Sequence, residues 1–325
     1  MISTKLTALA MATVAALAMA NPANAQLAYA IAGGGTTLIS FNVAAPGTIL
    51  SSVSLSGNIG TGLGLDAIDF RPSNGVLYGY NDADDALYTV NTGSGVLALS
   101  NNSFGTAGAT AAFGTGLDFN PQIDRVRVGN DANENRVYNP NTNAAATNNT
   151  TPNPNTVFNL FYATAATPGG ADVNAGVIPN IVENAYTNNL PGAAGQQFGI
   201  DYVQGTLVTI ANNSGVLRTV GSLGLGTGVA QAVGFDIFTT LGGVNTAYAL
   251  LDISNPNSTG TAQRLYTIDT ITGLATDRGA LGNTSSVYSL AIVTAVPEAN
   301  TGALLGLGAG LLGMVGTALR RRAAK

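Results

Sequence analysis

One pattern confines this 325-residue chain more than any other: an alternating strand, a polar turn and a second strand, written five times. Leu38-Ile39-Ser40-Phe41-Asn42 passes through Pro46-Gly47 into Thr48-Ile49-Leu50. Leu87-Tyr88-Thr89-Val90-Asn91 passes through Gly93-Ser94-Gly95 into Val96-Leu97. Leu207-Val208-Thr209-Ile210 and Leu265-Tyr266-Thr267-Ile268-Asp269 do the same through Asn212-Asn213-Ser214-Gly215 and Thr272-Gly273. A weaker copy is Arg136-Val137-Tyr138-Asn139, with its turn at Pro140 to Asn143. Period-two alternation closed by Asn/Gly turns is the signature of a β-hairpin. Counted from Leu38, Leu87, Asn135, Leu207 and Leu265, the steps are 49, 48, 72 and 58 residues.

A second repeat precedes the hairpins. Asp69-Phe70-Arg71-Pro72 leads to Val76-Leu77-Tyr78, Asp118-Phe119-Asn120-Pro121 to Arg125-Val126-Arg127-Val128, and Phe235-Asp236-Ile237-Phe238 to Thr246-Ala247-Tyr248. Val182 to Asn188 and Phe198 to Val203 take the same two places in another unit. Four short antiparallel strands per unit of about 50 residues predict propeller blades. The fold expected is all-β: a β-propeller of five four-stranded blades. Leu27–Ile31, Thr37–Val43 and Ile49–Leu55 give three strands of one blade. Val287–Val293 is expected to supply its innermost strand, so that the N- and C-terminal strands share a blade and the ring has no open edge. A β-sandwich with a similar number of strands is the competing architecture. The long step holds an insert, about 141–179, rich in Asn, Thr, Ala and Pro, which reads as a surface loop.

The two ends read as addresses. Lys5, the apolar run Leu6–Ala20 and Ala23-Asn24-Ala25 form a secretory signal peptide over 1–25, with cleavage at the Ala23/Ala25 site. At the other end, 295–325, Val296-Pro297-Glu298 is followed by an uncharged segment and then Arg320, Arg321, Arg322 and Lys325. Residues 301–319 as a helix span roughly 28 Å, enough for a transmembrane helix, with the basic cluster on the cytoplasmic side. This order resembles the PEP-CTERM sorting signal, although Ala299 stands where the usual motif has a second Pro. The resemblance implies a Gram-negative bacterium, Sec-type export, and processing by a membrane protease of the exosortase class. The body is then periplasmic, cell-surface or extracellular after transient inner-membrane anchoring.

Between these ends lies a domain of about 26–294. It carries seven Arg and no Lys against sixteen acidic residues, a net charge of −9. Nucleic acid is excluded as a partner, because phosphate neutralisation needs a basic face. Cys is absent from the chain, so no disulfide holds it. His is absent as well, which removes Ser-His-Asp and Cys-His nucleophiles and the usual zinc sites.

What chemistry remains rests on carboxylates. Asp69, Asp118 and Asp236 occupy matching places in three first strands, and if these line a channel they approach one another. A pair with one raised pKa could act on glycosides. The alternative is structural: such Asp residues accept backbone N–H bonds or meet a nearby Arg, with Arg71, Arg125 and Arg127 the expected partners. Asp82, Asp84, Asp85, Asp131, Asn133 and Asn135 cluster hard oxygens in two loops and are weak Ca²⁺ candidates, since the second loop lacks the Gly and distant Glu of an EF-hand.

The Asp-Phe-Asn-Pro and Asp124-Arg125-Val126-Arg127-Val128 block, with Asp69-Phe70-Arg71-Pro72, Ala185-Tyr186-Thr187-Asn188-Asn189 and Gly234-Phe235-Asp236-Ile237, resembles the domain-of-unknown-function family 4394. The resemblance covers most of 27–293. It implies an exported, propeller-like protein and carries no catalytic residue or cofactor. The function expected is therefore a non-enzymatic surface or matrix protein, its propeller a binding or structural module with exopolysaccharide as candidate ligand. A carboxylate-dependent glycan hydrolase or lyase and a calcium-stabilised adhesin are the alternatives.

Overall fold

The computed structural model describes residues 26–57, 64–101, 114–130, 133–141, 159–212, 214–225, 232–252, 263–282 and 286–294. The signal peptide, the sorting motif and the helix expected over 301–319 lie outside these residues. So do Asp131 and residues 142–158 of the insert.

The described chain is a five-bladed β-propeller with no helix. Strands β1 (Leu27–Ala32), β2 (Thr37–Asn42) and β3 (Ala45–Ser54) open it. Blade I is β4 (Ala67–Phe70), β5 (Leu77–Asn81), β6 (Ala86–Val90) and β7 (Leu97–Asn101). Blade II is β8 (Thr115–Asn120), β9 (Arg125–Asn130) and β10 (Asn135–Tyr138). After β11 (Phe161–Tyr162), blade III is β12 (Ile181–Tyr186), β13 (Gln197–Asp201), β14 (Thr206–Ile210) and β15 (Val216–Ser222). Blade IV is β16 (Ala232–Thr239), β17 (Asn245–Asp252), β18 (Gln263–Ile268) and β19 (Ala275–Ala280). Finally β20 (Val287–Ile292) pairs antiparallel with β1, Ala28 opposite Ile292, and completes blade V in the order β20-β1-β2-β3. The expected clasp between the chain's two ends is therefore present. It is fastened by Val293 N–H to Leu27 O (3.0 Å) and by Gln26 Nε2 to Val293 O (2.6 Å).

Two blades depart from four strands. Among the described residues blade II has three. Blade III has a fifth, because β11 from the insert lies parallel to the outer strand β15, Phe161 opposite Val216. The described part of the insert thus contributes one short strand to an edge, where it covers a row of backbone groups of β15.

The turns explain the Asn-rich composition. In the outer hairpins Asn42, Asn91 and Asp269 each accept N–H groups two or three residues on, at 2.8–3.2 Å. In the middle hairpins Asn81, Asn130 and Asp201 cap the loop by accepting N–H groups two to four residues on. A short Asx side chain imitates a backbone turn, which is why it recurs wherever the chain reverses.

The core is distributed over the seams between blades. One cluster joins Ile31 and Leu38 of blade V to Ile68, Leu77 and Tyr88 of blade I. Another joins Tyr78 and Tyr80 of blade I to Phe119 and Val128 of blade II. Val182, Phe198 and Ile200 of blade III pack on Phe235, Ile237 and Tyr266 of blade IV, and Leu250 and Leu265 of blade IV on Phe41 and Leu290 of blade V. Each fully buried aromatic such as Phe119 contributes about 1.5–3 kcal/mol by leaving water. The seam between blades I and II also carries a buried polar group. Asp85 accepts from Tyr80 Oη (2.5 Å) and Tyr138 Oη (3.1 Å), and Arg136 pairs with Glu134 at 2.6 Å.

Candidate functional site at the propeller axis

The inner strands are β4, β8, β12, β16 and β20, and each packs against the inner strand of the next blade around the ring. Each is the edge of its sheet, so alternate residues turn N–H and C=O toward its neighbours at the axis. Such groups must find partners once buried.

Three Asp residues supply them. Asp69 of blade I accepts Phe119 N–H of blade II at 3.0 Å and its own neighbour Phe70 N–H at 2.7 Å. Asp118 of blade II accepts Tyr186 N–H of blade III at 2.5 Å. Asp236 of blade IV accepts Ile292 N–H of blade V at 2.5 Å and Ile237 N–H at 2.6 Å. The three are therefore equivalent, each reaching to the residue one blade on that follows the next equivalent position. In blades III and V that position holds Ala185 and Ala291.

The inner strands of three blades bulge: the register of β12 against β13 slips between Ile181 and Asn184, that of β16 against β17 between Ala232 and Gly234, and that of β20 against β1 between Tyr288 and Leu290. In blades III and V the slip falls at or beside Glu183 and Ser289, each two residues before the alanine. Ser289, at φ 53°, turns its Oγ to blade I, where it meets Ile68 N–H (3.0 Å) and Ile68 O (3.4 Å) and closes the ring. Glu183 is only 4% exposed, and among the described residues its carboxyl holds no backbone N–H of another blade. The III–IV seam is held instead by apolar packing and by Asn188, Asn189, Thr239 and Asn245. Among these, Asn188 N–H meets Asn245 Oδ1 at 2.8 Å and Asn189 N–H meets Thr239 Oγ1 at 2.8 Å.

Small residues make this crowding feasible. A Cβ on Gly116 of β8 would sit 2.7 Å from Glu183 Cα, and one on Gly234 of β16 would sit 2.7 Å from Leu290 Cβ. Real Cβ atoms do not approach so closely.

Electrostatically the axis is a buried anionic cluster. Burial pushes all four carboxyls upward. Asp69 stands well above the usual range, raised further by the charges of Asp118 and Asp236. Asp118 is likewise well raised, by burial and then by Asp236. Asp236 is pushed up to about 6, its backbone donors working against burial. Glu183 is raised well above its normal value by burial, then by Asp236 and Asp69. Asp69 and Asp118 each bear on the other's ionisation, so a proton on one favours the charge on the other. Asp118 Oδ1 is buried with no hydrogen-bond partner, which adds to the cost of ionising it.

The structure places Asp69, Asp118 and Asp236 at equivalent points of three inner strands, where their charges act on one another, and adds Glu183, which sequence reasoning missed. The arginines do not meet them. Arg71 pairs with Asp124 (Nε to Oδ1 2.8 Å), Arg125 donates to the carbonyls of Ile123 and Asp124, and Arg127 donates to Asn135 Oδ1 at 3.0 Å. The loop residues proposed for Ca²⁺ are far from free. Asp85 holds two tyrosines and faces Arg136, while Asn135 takes Arg127. Asp82 and Asp84 donate their backbone N–H groups to Asp66 and Asn81, and Asn133 turns the loop at φ 64°. Chemically, clamped carboxyls buried to 3% exposure or less hold blades together; they present no open face to a polymer.

Solved structures similar to this chain are distant. A chain of "Crystal structure of Nidogen/Laminin Complex" shares 10% identity at a TM-score of 0.42, over 82% of this chain and 98% of that one. A protein of unknown function from Bacteroides caccae shares 10% at 0.41, over 83% and 99%. The computationally designed Ika8 protein shares 12% at 0.34, over 82% and 64%. At these scores they carry no argument about function. No curated protein matches. The family model described as "Domain of unknown function (DUF4394)" matches residues 37–291, from β2 to the last strand, and the chain belongs to that family.

Proposed function

We propose that this protein is an exported, non-enzymatic binding or structural module of the cell surface or extracellular matrix, delivered by its signal peptide and PEP-CTERM-like tail. The observation that carries this reading is how the axial carboxyls are used. Asp69, Asp118 and Asp236 each hold a backbone N–H of another blade, at 2.5–3.0 Å, and none is open to solvent. A glycosidase needs its two carboxyls on either side of a bound sugar. The propeller fold and its family fit a non-catalytic role. Exopolysaccharide is the ligand class we favour, on the strength of the sorting signal's resemblance, and an exosortase-type protease and the Sec machinery are the expected processing partners.

Mass spectrometry of the native protein tests delivery. The expected product starts near Gln26 and ends near Pro297; an intact chain in the cytosol, with Met1 and Lys325 both present, overturns it. Retention of the purified protein on native exopolysaccharide tests the ligand class. Turnover of a polysaccharide panel, lost in a folded Asp118→Asn variant, would replace this reading with the hydrolase.

A further inference from the structure

We propose that the outer edge of blade V is a self-association surface, on which β3 pairs edge to edge with β3 of a second copy of this chain. The inference rests on the fold and on the distribution of charge, and it stands whatever ligand the protein binds.

All seven Arg and all sixteen acidic residues of the body lie between Asp66 and Arg278. The strands of blade V come from 27–54 and 287–292, so that blade bears no charged side chain. Two bodies of net charge −9 repel each other. An approach through blade V sets two uncharged walls together and keeps the carboxylates of both copies apart, which selects this face for a second copy.

The backbone of that wall is open as well. β3 ends the sheet order β20-β1-β2-β3. Leu55 N–H meets Thr36 O at 2.8 Å, and Ser54, Val53 and Ser52 stand opposite Thr37, Leu38 and Ile39. Inward bonds of an antiparallel ladder fall on alternate residues, so Val53 bonds inward and Ser52 turns its N–H and C=O out of the sheet. Neighbouring blades take only the ends of the strand: Gly282 N–H reaches Pro46 O and Ser56 N–H reaches Gly95 O, both at 3.0 Å. Between them, residues 48–53 have no partner strand among the described residues. This stretch has no charge and no Pro, contains Thr48, Ile49 and Val53, and exposes Leu50 to 58%. Such an edge is a template for another strand.

Other outer edges are closed. On blade III, β11 pairs with Val216 and Leu217, and Asp172 then accepts Thr219 N–H at 2.7 Å. On blade IV, β19 bears Asp277 and Arg278, and Asp277 is tied to Arg264 at 2.6 Å. On blade I, β7 is uncharged but has five residues where β3 has ten. All four outer hairpins contain a register slip, so that feature does not single out blade V. Antiparallel pairing of one strand with its own copy is two-fold symmetric. Each outward N–H of one protomer then meets an outward C=O of the other, and the contact closes as a dimer.

The chain has no Cys, so an introduced one is unique. Purified full-length Ser52→Cys, mildly oxidised, should form disulfide-linked dimers at least about fivefold faster than Thr276→Cys, its exposed counterpart on β19. Adding Leu50→Lys should bring the Ser52→Cys rate down to that of Thr276→Cys, with Tm within about 2 °C of the parent. Thr48→Lys, also at an exposed position, replaces Leu50→Lys if the latter lowers Tm. Raising NaCl from about 20 to about 500 mM should speed the Ser52→Cys cross-link, because it screens the repulsion between like-charged bodies. Equal rates at the two cysteine positions, a Ser52→Cys rate unmoved by the lysine, or a cross-link slowed by salt each overturn the proposal.

Discussion

Asp236→Asn, followed across pH in EDTA, isolates the energetics of the axis. Asp236 starts from an unfolded value of 3.8 and is held at about 6 when folded, by burial. A folded pKa above the unfolded one means that the native state binds the proton more tightly. The associated stability is fully present below pH 3.8 and is lost as pH rises through 6. The 2.2-unit difference corresponds to about 3 kcal/mol in full, and about 2 kcal/mol of it separates pH 4.5 from pH 8. Asn cannot ionise, so the variant lacks this slope. It also offers one acceptor where ionised Asp236 offers two to Ile237 and Ile292, which costs roughly 1–3 kcal/mol at every pH. The measurable quantity is therefore the change in Tm difference, parent minus variant, between pH 4.5 and pH 8. Two kcal/mol in a domain of this size is about 4–8 °C, with the parent relatively better off in acid. Differential scanning calorimetry at both pH values reads it directly. A difference that does not vary with pH, or that grows in the parent's favour toward alkali, would show Asp236 ionising like an exposed carboxylate and refute the burial argument.

Three further outcomes follow from other contacts. Gly116→Ala forces a Cβ to within 2.7 Å of Glu183 Cα and should cost about 1–3 kcal/mol in urea unfolding, while Gly242→Ala, whose Cβ meets only Thr240 at 3.7 Å, should stay within about 0.5 kcal/mol. Arg71→Met removes the guanidinium that joins Asp124 to Tyr78 and Asn141, and should lower stability by about 1–3 kcal/mol near neutral pH. Because Arg71 holds the Asp124 carboxyl below its usual range, the loss should shrink as pH falls through that lowered value. Ser289→Ala unties Ile68 from blade V and should cost about 1–3 kcal/mol by leaving a buried N–H unpaired, an effect that Ser289→Thr should partly avoid if the bulge accepts the extra methyl.

The propeller was legible because three inner strands repeat Asp before an apolar residue, and because every outer hairpin is announced by an Asx or Gly turn. The shared blade was legible too, from a strand missing at one end and spare at the other. The axis was only half legible. Spacing placed Asp69, Asp118 and Asp236 in equivalent strands, but their partners are backbone N–H groups about 50 or more residues away, such as Phe119, Tyr186 and Ile292. No local pattern reports those, and the nearby arginines drew the expectation instead. Glu183 escaped for a different reason. Its direction is set by a register slip between β12 and β13, which exists only once the strands have paired. One local sign was present: it is the single acidic residue in a row otherwise filled by Ala, Gly and Ser. At two residues, β11 is too short for alternation to reveal it.

The clasp of blade V has a mechanical side. β1 and β20 run antiparallel with Ala28 beside Ile292, so the chain enters and leaves the propeller at adjacent points on one face. A pull on Thr294 against Gln26 would load these hydrogen bonds one after another, as in a zip fastener, rather than all together in shear. Ring closure also waits for residues 287–292; until they arrive, β1 and blade I lack their inner neighbour and present bare edges. A propeller fastened in this way is most vulnerable where its first and last strands meet.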